Sequence, residues 1–175
     1  MMFYCIINDN KGLMKMKTNV LRLLDYQHIY YETKEYDYDE NDLSGKHIIE
    51  QVDLKPEEIY KTLVLHSGND YLVCCIPVME EIDLKKLAKA SGHKSVEMIR
   101  QKDLLPLTGY IRGGCSPIGM KKKFPTYFQE DILLLDKVAV SAGKRGIQVI
   151  LNPKNLIAYV NGQCVDVIRK GAVTK

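Results

Sequence analysis

The chain has 175 residues, of which 46% are hydrophobic and 27% are charged, and its formal net charge is +3. These values are ordinary for one globular domain. A chain of this length buries roughly 70% of its unfolded surface, so it needs no disulfides or metals to stabilise the fold. No apolar run approaches the roughly 20 residues of a membrane-spanning helix, and a charge of +3 is too small by itself to indicate nucleic acid. The composition therefore predicts one soluble domain.

The cysteines indicate the compartment. There are five of them, which is an odd number, and they show neither CxxC spacing nor a neighbouring pair of histidines. They are Cys5, Cys74, Cys75, Cys115 and Cys164. This usage favours a reducing, cytoplasmic environment and argues against a zinc site.

The start of the chain is expected to be an extension. Its apolar run, residues 3–7, is too short for the core of a signal peptide, and either Met14 or Met16 is a plausible initiator. A genuine short strand or arm is the alternative. We therefore divide the chain into an extension at residues 1–16, a single domain at 17–170 and a tail at 171–175.

The first third of the chain predicts two helices, a strand and a short helical segment. Thr18 is a helix cap before apolar residues at helical spacing, and a strand follows at about 29–36. Ser44 is expected to cap a second helix that runs to about Val52. Pro56 suits the first turn of a brief helical segment ahead of Lys61.

The rest of the chain predicts a hairpin, three helices and further strands. The hairpin joins residues 62–67 and 71–77 through Gly68-Asn69-Asp70. The predicted helices run from Asp83 to Gly92, from Ser95 to about Lys102, and from Asn152-Pro153 to about Gly162. The remaining predicted strands are 132–135, 138–141, 147–151 and an edge strand at 163–169. Strands and helices interleave without a strict βαβ rhythm, which favours a mixed α/β fold.

The segment at 109–126, GYIRGGCSPIGMKKKFPT, is the most distinctive part of the sequence. Its glycines allow backbone conformations closed to other residues and close approach of a ligand, and its prolines stiffen the turns. Its three lysines would suit phosphates if they share a face with Lys144 and Arg145. An ordinary connection with a solvated lysine run is the alternative.

Several common catalytic motifs are absent from the sequence. There is no GxGxxG, and SAGKRG lacks the spacing and the hydroxyl residue of a P-loop. GCSPIG is not a nucleophile elbow, because Pro117 would block the helix that follows such an elbow, so Ser116 is disfavoured as a nucleophile. The four histidines show no metal-binding spacing.

Several segments in order resemble one family. GGxSPxGxKK after a Gly-Tyr pair, EEIYKTLVL at 57–65, IDLKKLAKASGHKSVEM at 82–98 and VSAGKRGIQVIL at 140–151 resemble the YbaK/EbsC family of aminoacyl-tRNA deacylases. These proteins are relatives of the prolyl-tRNA synthetase editing domain, and the resemblance extends from about Lys17 to about Lys170. It implies an α/β (α+β) fold built on a mixed, largely closed β-barrel of about six to seven strands flanked by helices, which is compatible with the strands predicted above.

The resemblance implies three catalytic positions. Lys61 would place a cation beside the ester or the terminal ribose-phosphate, as an electrostatic clamp, because an ammonium accepts no proton unless its pKa falls strongly. Gly113 and Gly114 would offer backbone N–H groups, or close approach, to the developing oxyanion, where one donor contributes about 3 to 4 kcal/mol. Without the resemblance, Lys61 is a surface lysine at the start of a strand.

Further residues are implied to contact the substrate. Tyr36 would stack on the terminal adenine, although packing explains it equally well. The implied substrate-binding residues are Tyr36, Thr62, Ser116, Pro117, Gly119, Ser141 and Gln148. The implied tRNA contacts are Lys121, Lys122, Lys123, Lys144 and Arg145. At residue 148 the family commonly carries an aspartate, so the glutamine keeps hydrogen bonding but loses the charge.

The resemblance also implies a reaction. In this family the thiol of a cysteinyl substrate is thought to attack its own ester, which releases a cyclic thiolactone and free tRNA, so that no enzyme nucleophile, metal or cofactor is needed. We expect a trans-editing deacylase for Cys-tRNA(Pro), with Cys-tRNA(Cys) as a second substrate and prolyl-tRNA synthetase as a partner. Deacylation of another small residue such as alanine, and a non-catalytic tRNA-binding or synthetase-binding module, are the alternatives.

Overall fold

The computed structural model describes residues 6–7 and 15–171. The described α-helices are α1 Asn19–Tyr26, α2 Lys46–Gln51, α3 Leu84–Ser91, α4 Gln101–Thr108 and α5 Pro153–Val160. The described strands are β1 Ile6–Ile7, β2 Lys15–Met16, β3 Tyr31–Glu35, β4 Tyr60–Ser67, β5 Asp70–Pro77, β6 Glu97–Met98, β7 Thr126–Gln129, β8 Val138–Ser141, β9 Ile147–Leu151 and β10 Gln163–Val165. Two 3₁₀ helices span Pro56–Glu58 and Glu130–Leu134.

The expected extension at 1–16 and tail at 171–175 lie mostly outside the described residues. Within the extension, β1 and β2 pair antiparallel. The division into extension, domain and tail stays a prediction. No helix in the described part of the chain is both long enough and apolar enough to cross a membrane.

The larger strands form two sheets, of which the larger is mixed and the smaller is antiparallel. A five-stranded sheet has the order β10-β7-β5-β4-β6, and a three-stranded sheet has the order β3-β9-β8. Within the larger sheet β7 runs parallel to both β5 and β10, whereas β4 runs antiparallel to β5. The prediction of a mixed α/β fold is therefore confirmed.

The prediction of a largely closed barrel was wrong. The two sheets meet at the start of β4, where a single parallel bridge joins Ile59 to Ala139. Closure requires a continuous ladder of hydrogen bonds between neighbouring strands, and no such ladder continues between β4 and β8. The described strands therefore form separate sheets that touch along one short seam.

The local predictions were best where a cap was unambiguous. The Thr18 side chain accepts from the backbone N–H of Leu21 at the start of α1, as predicted. The helix predicted after Ser44 exists as α2, but its N-cap is Gly45, without a side-chain cap. The hairpin turns through two residues rather than three, because Gly68 takes a φ of +59° and Asp70 already belongs to β5.

Two predictions in the second half were wrong, and a third was right only in part. The apolar run at 132–135 lies mostly in the 3₁₀ helix that begins at Glu130, which buries Ile132 and leaves Leu134 83% exposed. The helix predicted at Ser95 to Lys102 is replaced by β6 and by α4, which contains Pro106. The edge strand predicted at 163–169 is confirmed as β10, but only over residues 163–165, and β7 was not predicted.

The core has layers on both faces of the larger sheet. One cluster joins the two sheets with α1 and α5, and its members include Leu24, Val64, Phe128, Val140 and Leu156. A second cluster packs α3 on the opposite face of the larger sheet. A third and smaller cluster surrounds the Ile59 and Ala139 bridge. Buried apolar side chains therefore hold the two sheets together at the bridge between Ile59 and Ala139.

The cap of α3 provides a test of the fold. Asp83 Oδ1 accepts from the backbone N–H groups of Lys85 and Lys86, at 3.0 and 3.1 Å. We expect Asp83→Ala to lower the free energy of unfolding by about 1 kcal/mol, measured by urea denaturation, because these N–H groups lose their acceptor. Asp53→Ala is the control, since Asp53 is exposed and its side chain has no hydrogen bond among the described residues. Equal midpoints for the two variants would contradict this account.

Candidate functional site

The outer edge of β4 is uncovered over a short stretch. Ile59 contacts β8 at one end of this stretch, and Leu65 pairs with β6 at the other. The Ile59 carbonyl accepts from Val78 N on the β5 side, whereas the Val64 carbonyl accepts from Ile99 N on the outer side. Hydrogen-bonding directions alternate along an antiparallel strand, so the backbone N–H and C=O of Thr62 point outward into the gap.

A cavity of about 490 Å³ lies along this gap. Both sheets contribute to its walls, together with the chain after β3, the chain after β5 and the glycine-rich segment. Of the residues predicted from the sequence, it brings together Tyr36, Lys61, Thr62, Gly113, Ser141, Arg145 and Gln148. The cavity therefore exists because β4 and β8 do not pair beyond the bridge between Ile59 and Ala139.

Lys61 is a half-buried cation in this cavity. Burial lowers the pKa of its amine, and the negative charges of Glu81 and Glu80 oppose that shift only in part. No hydrogen bond or ion pair joins its Nζ to any residue that the structure describes. A desolvated amine without a protein partner is suited to an anionic or strongly polar ligand.

Ser141 and Gln148 face each other across β8 and β9. Gln148 is 3% exposed, and its Oε1 has no hydrogen-bond partner within the described part of the chain. Ser141 is also buried, and its Oγ accepts from Gly143 N at 3.1 Å. β8 runs parallel to β4 from the bridge between Ile59 and Ala139. Ser141 and Lys61 each lie two residues beyond that bridge, so they occupy equivalent positions along the two strands. The inner wall thus carries a cation, a hydroxyl and a buried carbonyl oxygen without a partner.

Gly113 and Gly114 occupy different environments. Gly113 lines the cavity at φ +85°, and an added Cβ would lie 3.3 Å from both Leu43 Cδ2 and Arg145 Nε. Gly114 is buried against the Lys144–Arg145 backbone, and its N–H donates to the Ile111 carbonyl at 3.0 Å. Gly113 therefore has the access that a backbone donor needs, whereas the N–H of Gly114 is already used.

Three other predicted binding residues do not line the cavity. Ser116 and Pro117 are buried, and Ser116 Oγ accepts from Ile118 N at 3.3 Å. At Gly119 an added Cβ would meet Tyr110 Oη at 2.9 Å and Leu23 Cδ1 at 3.0 Å. These residues fix the loop against α1 and the core, so their part in any site is to shape it.

The thiol at the cavity is poorly suited to nucleophilic attack. Cys115 lines the cavity, and burial raises the pKa of its thiol to about 12. Thr62 Oγ1 lies 3.7 Å from Cys75 Sγ, and burial raises the pKa of that thiol well above its usual value. A thiolate is the reactive form of cysteine, so these two groups act as packing.

Two arginines are among the residues that line the cavity. Arg112 and Arg145 line it, and Arg145 Nε donates to the Arg112 carbonyl at 2.8 Å. Lys144 is exposed next to them. Lys121, Lys122 and Lys123 are exposed but are not among the cavity-lining residues. Glu80 and Glu81, from the chain after β5, also line the cavity, so its lining carries charges of both signs.

The sequence analysis missed the segment after β3. Residues 42–48 line the cavity, and within them His47 Nε2 lies 3.0 Å from Asp42 Oδ2. A hydrogen bond from Ser44 N and the contact with His47 lower the pKa of Asp42 to about 2. No sequence signal assigned this acidic segment to the site. Tyr36, which was predicted, enters the wall because its N–H is tied to the Gly146 carbonyl at 3.0 Å.

No three ligand-type side chains within residues 6–7 and 15–171 are grouped so that they could hold a metal ion. The four described cysteines are free thiols.

Comparisons with known proteins identify relatives of the chain. The family model described as "Aminoacyl-tRNA editing domain" matches residues 46–159. A protein of Enterococcus faecalis named "Putative Cys-tRNA(Pro)/Cys-tRNA(Cys) deacylase EbsC" is 45% identical over 161 residues, which cover 91% of this chain and 98% of the relative.

Two crystal structures share the fold. One, described as "a putative trans-editing enzyme for prolyl tRNA synthetase", has a TM-score of 0.74 at 22% identity and covers 86% of this chain and 92% of its own. Another, described as a hypothetical protein, has a TM-score of 0.77 at 17% identity and covers 86% of this chain and 99% of its own. With the family match and the relative at 45% identity, this chain belongs to the aminoacyl-tRNA editing domain family.

Proposed function

We propose that the protein is a trans-editing deacylase that removes cysteine from Cys-tRNA(Pro), with Cys-tRNA(Cys) as a second substrate. The observation that carries the proposal is the half-buried, unpartnered amine of Lys61 in a cavity shared with Ser141 and Gln148. The name of the relative at 45% identity supports the choice of substrates. The cavity of about 490 Å³ is large enough for an aminoacyl ester with part of its terminal nucleoside.

The proposed reaction uses the thiol of the substrate. The cysteine sulfur attacks the ester carbonyl carbon and forms a C–S bond, and the bond from that carbon to the ribose oxygen then breaks. The proton lost by the thiol ends on the released ribose hydroxyl, so the products are a thiolactone and free tRNA. This reaction requires no protein nucleophile, which agrees with the raised pKa of the Cys115 thiol.

The protein's part in this reaction is electrostatic. The Lys61 ammonium stabilises negative charge on the carbonyl oxygen and on the leaving ribose oxygen. In this proposal the N–H of Gly113 and the outward-facing N–H of Thr62 donate to the same oxyanion, and the position of both residues in the cavity lining supports this role. Donors held in position before the reaction stabilise a transition state without reorganising, and this is commonly the largest contribution to catalysis.

The substrate is oriented by the charges at the opening. We assign the tRNA backbone to the side of Arg112, Lys144 and Arg145, and away from Glu80 and Glu81. A track for more distant phosphates would continue over the exposed Lys121 to Lys123. Prolyl-tRNA synthetase is the proposed partner for selecting the tRNA. The free thiols and the substrate class favour a cytoplasmic location.

The role of Lys61 is tested by Lys61→Met. We expect kcat/KM for deacylation of Cys-tRNA(Pro) to fall by about 100-fold or more, because a preorganised charge at the oxyanion is lost. Folding lowers the pKa of Lys61, so the charged amine opposes folding at every pH below its folded pKa, and the cost disappears above the unfolded pKa. The thermal midpoint of Lys61→Met at pH 7 should therefore equal or exceed that of the wild type.

Lys102→Met, at an exposed position on α4, is the control and should keep full activity and stability. A Lys61→Met variant that cleaves Cys-tRNA(Pro) at the wild-type rate would refute the proposed role.

The cavity position of Gly113 is tested by Gly113→Ala. An alanine at φ +85° is strained by about 1 to 2 kcal/mol, and its methyl group would also crowd Leu43 and Arg145 at the cavity. Gly92→Ala is the matched control, because Gly92 has φ +76° with nothing within 4 Å of the added Cβ. We expect similar losses of stability in both variants and a loss of deacylation in Gly113→Ala alone. Equal activity in the two variants would exclude Gly113 from the site.

The tRNA track is tested by Lys144→Gln and Lys122→Gln. Each variant should raise KM with little change in kcat, and should reduce the slope of log affinity against log salt by about 1 if the lysine contacts one phosphate. Lys102→Gln is the control for a general charge effect. A salt slope unchanged in both variants would place the tRNA elsewhere.

A further inference from the structure

The outer edge of β3 is open to solvent. β3 forms one side of the three-stranded sheet, and no strand in the described part of the chain pairs with its outer edge. With five residues it is the longest of the described edge strands, since β6, β8 and β10 have two, four and three. Residues 32–35 are all exposed. Unpaired N–H and C=O groups along such an edge can pair with a further strand.

The hydrogen bonds to β9 show which groups of β3 point outward. Tyr36 N–H donates to the Gly146 carbonyl on the β9 side. Inward and outward directions alternate along an antiparallel strand, so Glu32 and Lys34 also bond toward β9. The N–H and C=O of Thr33 point outward, and no residue that the structure describes pairs with them. A further strand can therefore pair with Thr33 at the centre of β3.

The sequence around Thr33 complements itself in one antiparallel register. If Thr33 pairs with Thr33 of a second copy, Glu32 lies opposite Lys34 on both sides of the two-fold axis. These are non-hydrogen-bonded pairs, in which the Cα atoms are about 4.5 Å apart and the side chains are close. Shifting the second strand by two residues would place Glu32 opposite Glu32, or Lys34 opposite Lys34, and like charges directly opposite are destabilising. The charges that keep other strands away from this edge therefore favour a second copy in one register.

The same register pairs two tyrosines. Tyr30 is 76% exposed, and its Oη donates to Glu32 Oε1 at 3.0 Å, so its ring lies on the face of β3 that carries Glu32. In the paired copies Tyr30 is opposite Tyr36, which lines the cavity. Aromatic pairs are among the cross-strand pairs that stabilise a sheet. A second copy thus covers an exposed ring and brings it beside the cavity wall.

We infer that two copies of the chain pair antiparallel through β3, with Thr33 on the two-fold axis, and join their three-stranded sheets into one. Each copy places its Tyr30 beside Tyr36 of the other, so the second copy extends the wall of each cavity. The contact of one short strand edge is small, and it fits a weak dimer rather than an obligate one. The inference concerns assembly and does not depend on the proposed function.

The test measures the mass of the full chain by sedimentation equilibrium, from low micromolar to millimolar concentration at low salt. The wild type should show an equilibrium between monomer and dimer. Glu32→Lys and Lys34→Glu should each raise the dissociation constant of the dimer by about 10-fold or more, because two attractive pairs become two repulsive pairs. The variant with both substitutions should dimerise like the wild type, since its charges are again complementary in the same register.

Mixing the two single variants tests the register directly. Glu32→Lys carries lysine at residues 32 and 34, and Lys34→Glu carries glutamate at both, so only the mixed pair has opposite charges facing each other. The mixture should therefore form a heterodimer about as strong as the wild-type dimer. Lys102→Glu is the control, because Lys102 is exposed on α4, and this variant should dimerise like the wild type.

The outcomes separate charge pairing from other causes. A wild type that stays monomeric at millimolar concentration would overturn the inference. A dimer whose dissociation constant is unchanged in both single variants would also overturn it, because that dimer would form through another surface. Misfolded variants would not recover on mixing, so a dimer in the mixture and in the double variant supports pairing through β3. Single variants that lose the dimer, with no recovery in either sample, would contradict it.

Discussion

The uncovered edge of β4 between Ile59 and Leu65 is the constraint on which the site depends. One bridge to β8 and one short ladder to β6 hold the two ends of this stretch. Between them a strand edge that would otherwise be paired keeps the backbone polar groups of Thr62 facing a cavity. The same gap gives Lys61 its half-buried environment and sets Ser141 and Gln148 opposite it. Closing the sheets into a continuous ladder would remove the cavity.

Apolar packing where the sheets touch offsets the cost of polar groups that lack partners at the cavity. Ile59, Ala139 and Ile150 are buried together where the sheets touch, and larger clusters fill both faces of the five-stranded sheet. With this core the protein tolerates a desolvated amine at Lys61 and an unpaired carbonyl at Gln148. Both features oppose folding when the site is empty. The amine of Lys61, which is kept in the cavity at such a cost, is best explained by a ligand that pairs with it.

The sequence predicted some parts of this arrangement and not others. Lys61, Thr62, Ser141 and Gln148 were predicted because their segments resemble a family. The structure adds that Ser116 and Pro117 are buried and that Gly119 lies close to Leu23 of α1. Local sequence does not encode such packing, because the partner of Gly119 is distant along the chain. Capped elements such as α1 and α3 were predicted well. The apolar run before β8 was misassigned, since burial of Ile132 alone suffices for a 3₁₀ turn.

The most direct test of the central claim is amide hydrogen exchange with a non-cleavable ligand. Exchange rates are measured by NMR for the wild-type protein, with and without amide-linked cysteinyl-adenosine. If the open seam is the aminoacyl site, the amides of Thr62 and Gly113 should gain protection, because both N–H groups are assigned to the ligand's carbonyl oxygen. The amide of Asn69 in the distant hairpin turn should not change. Protection confined to other regions, with Thr62 and Gly113 exchanging as in the free protein, would contradict the account.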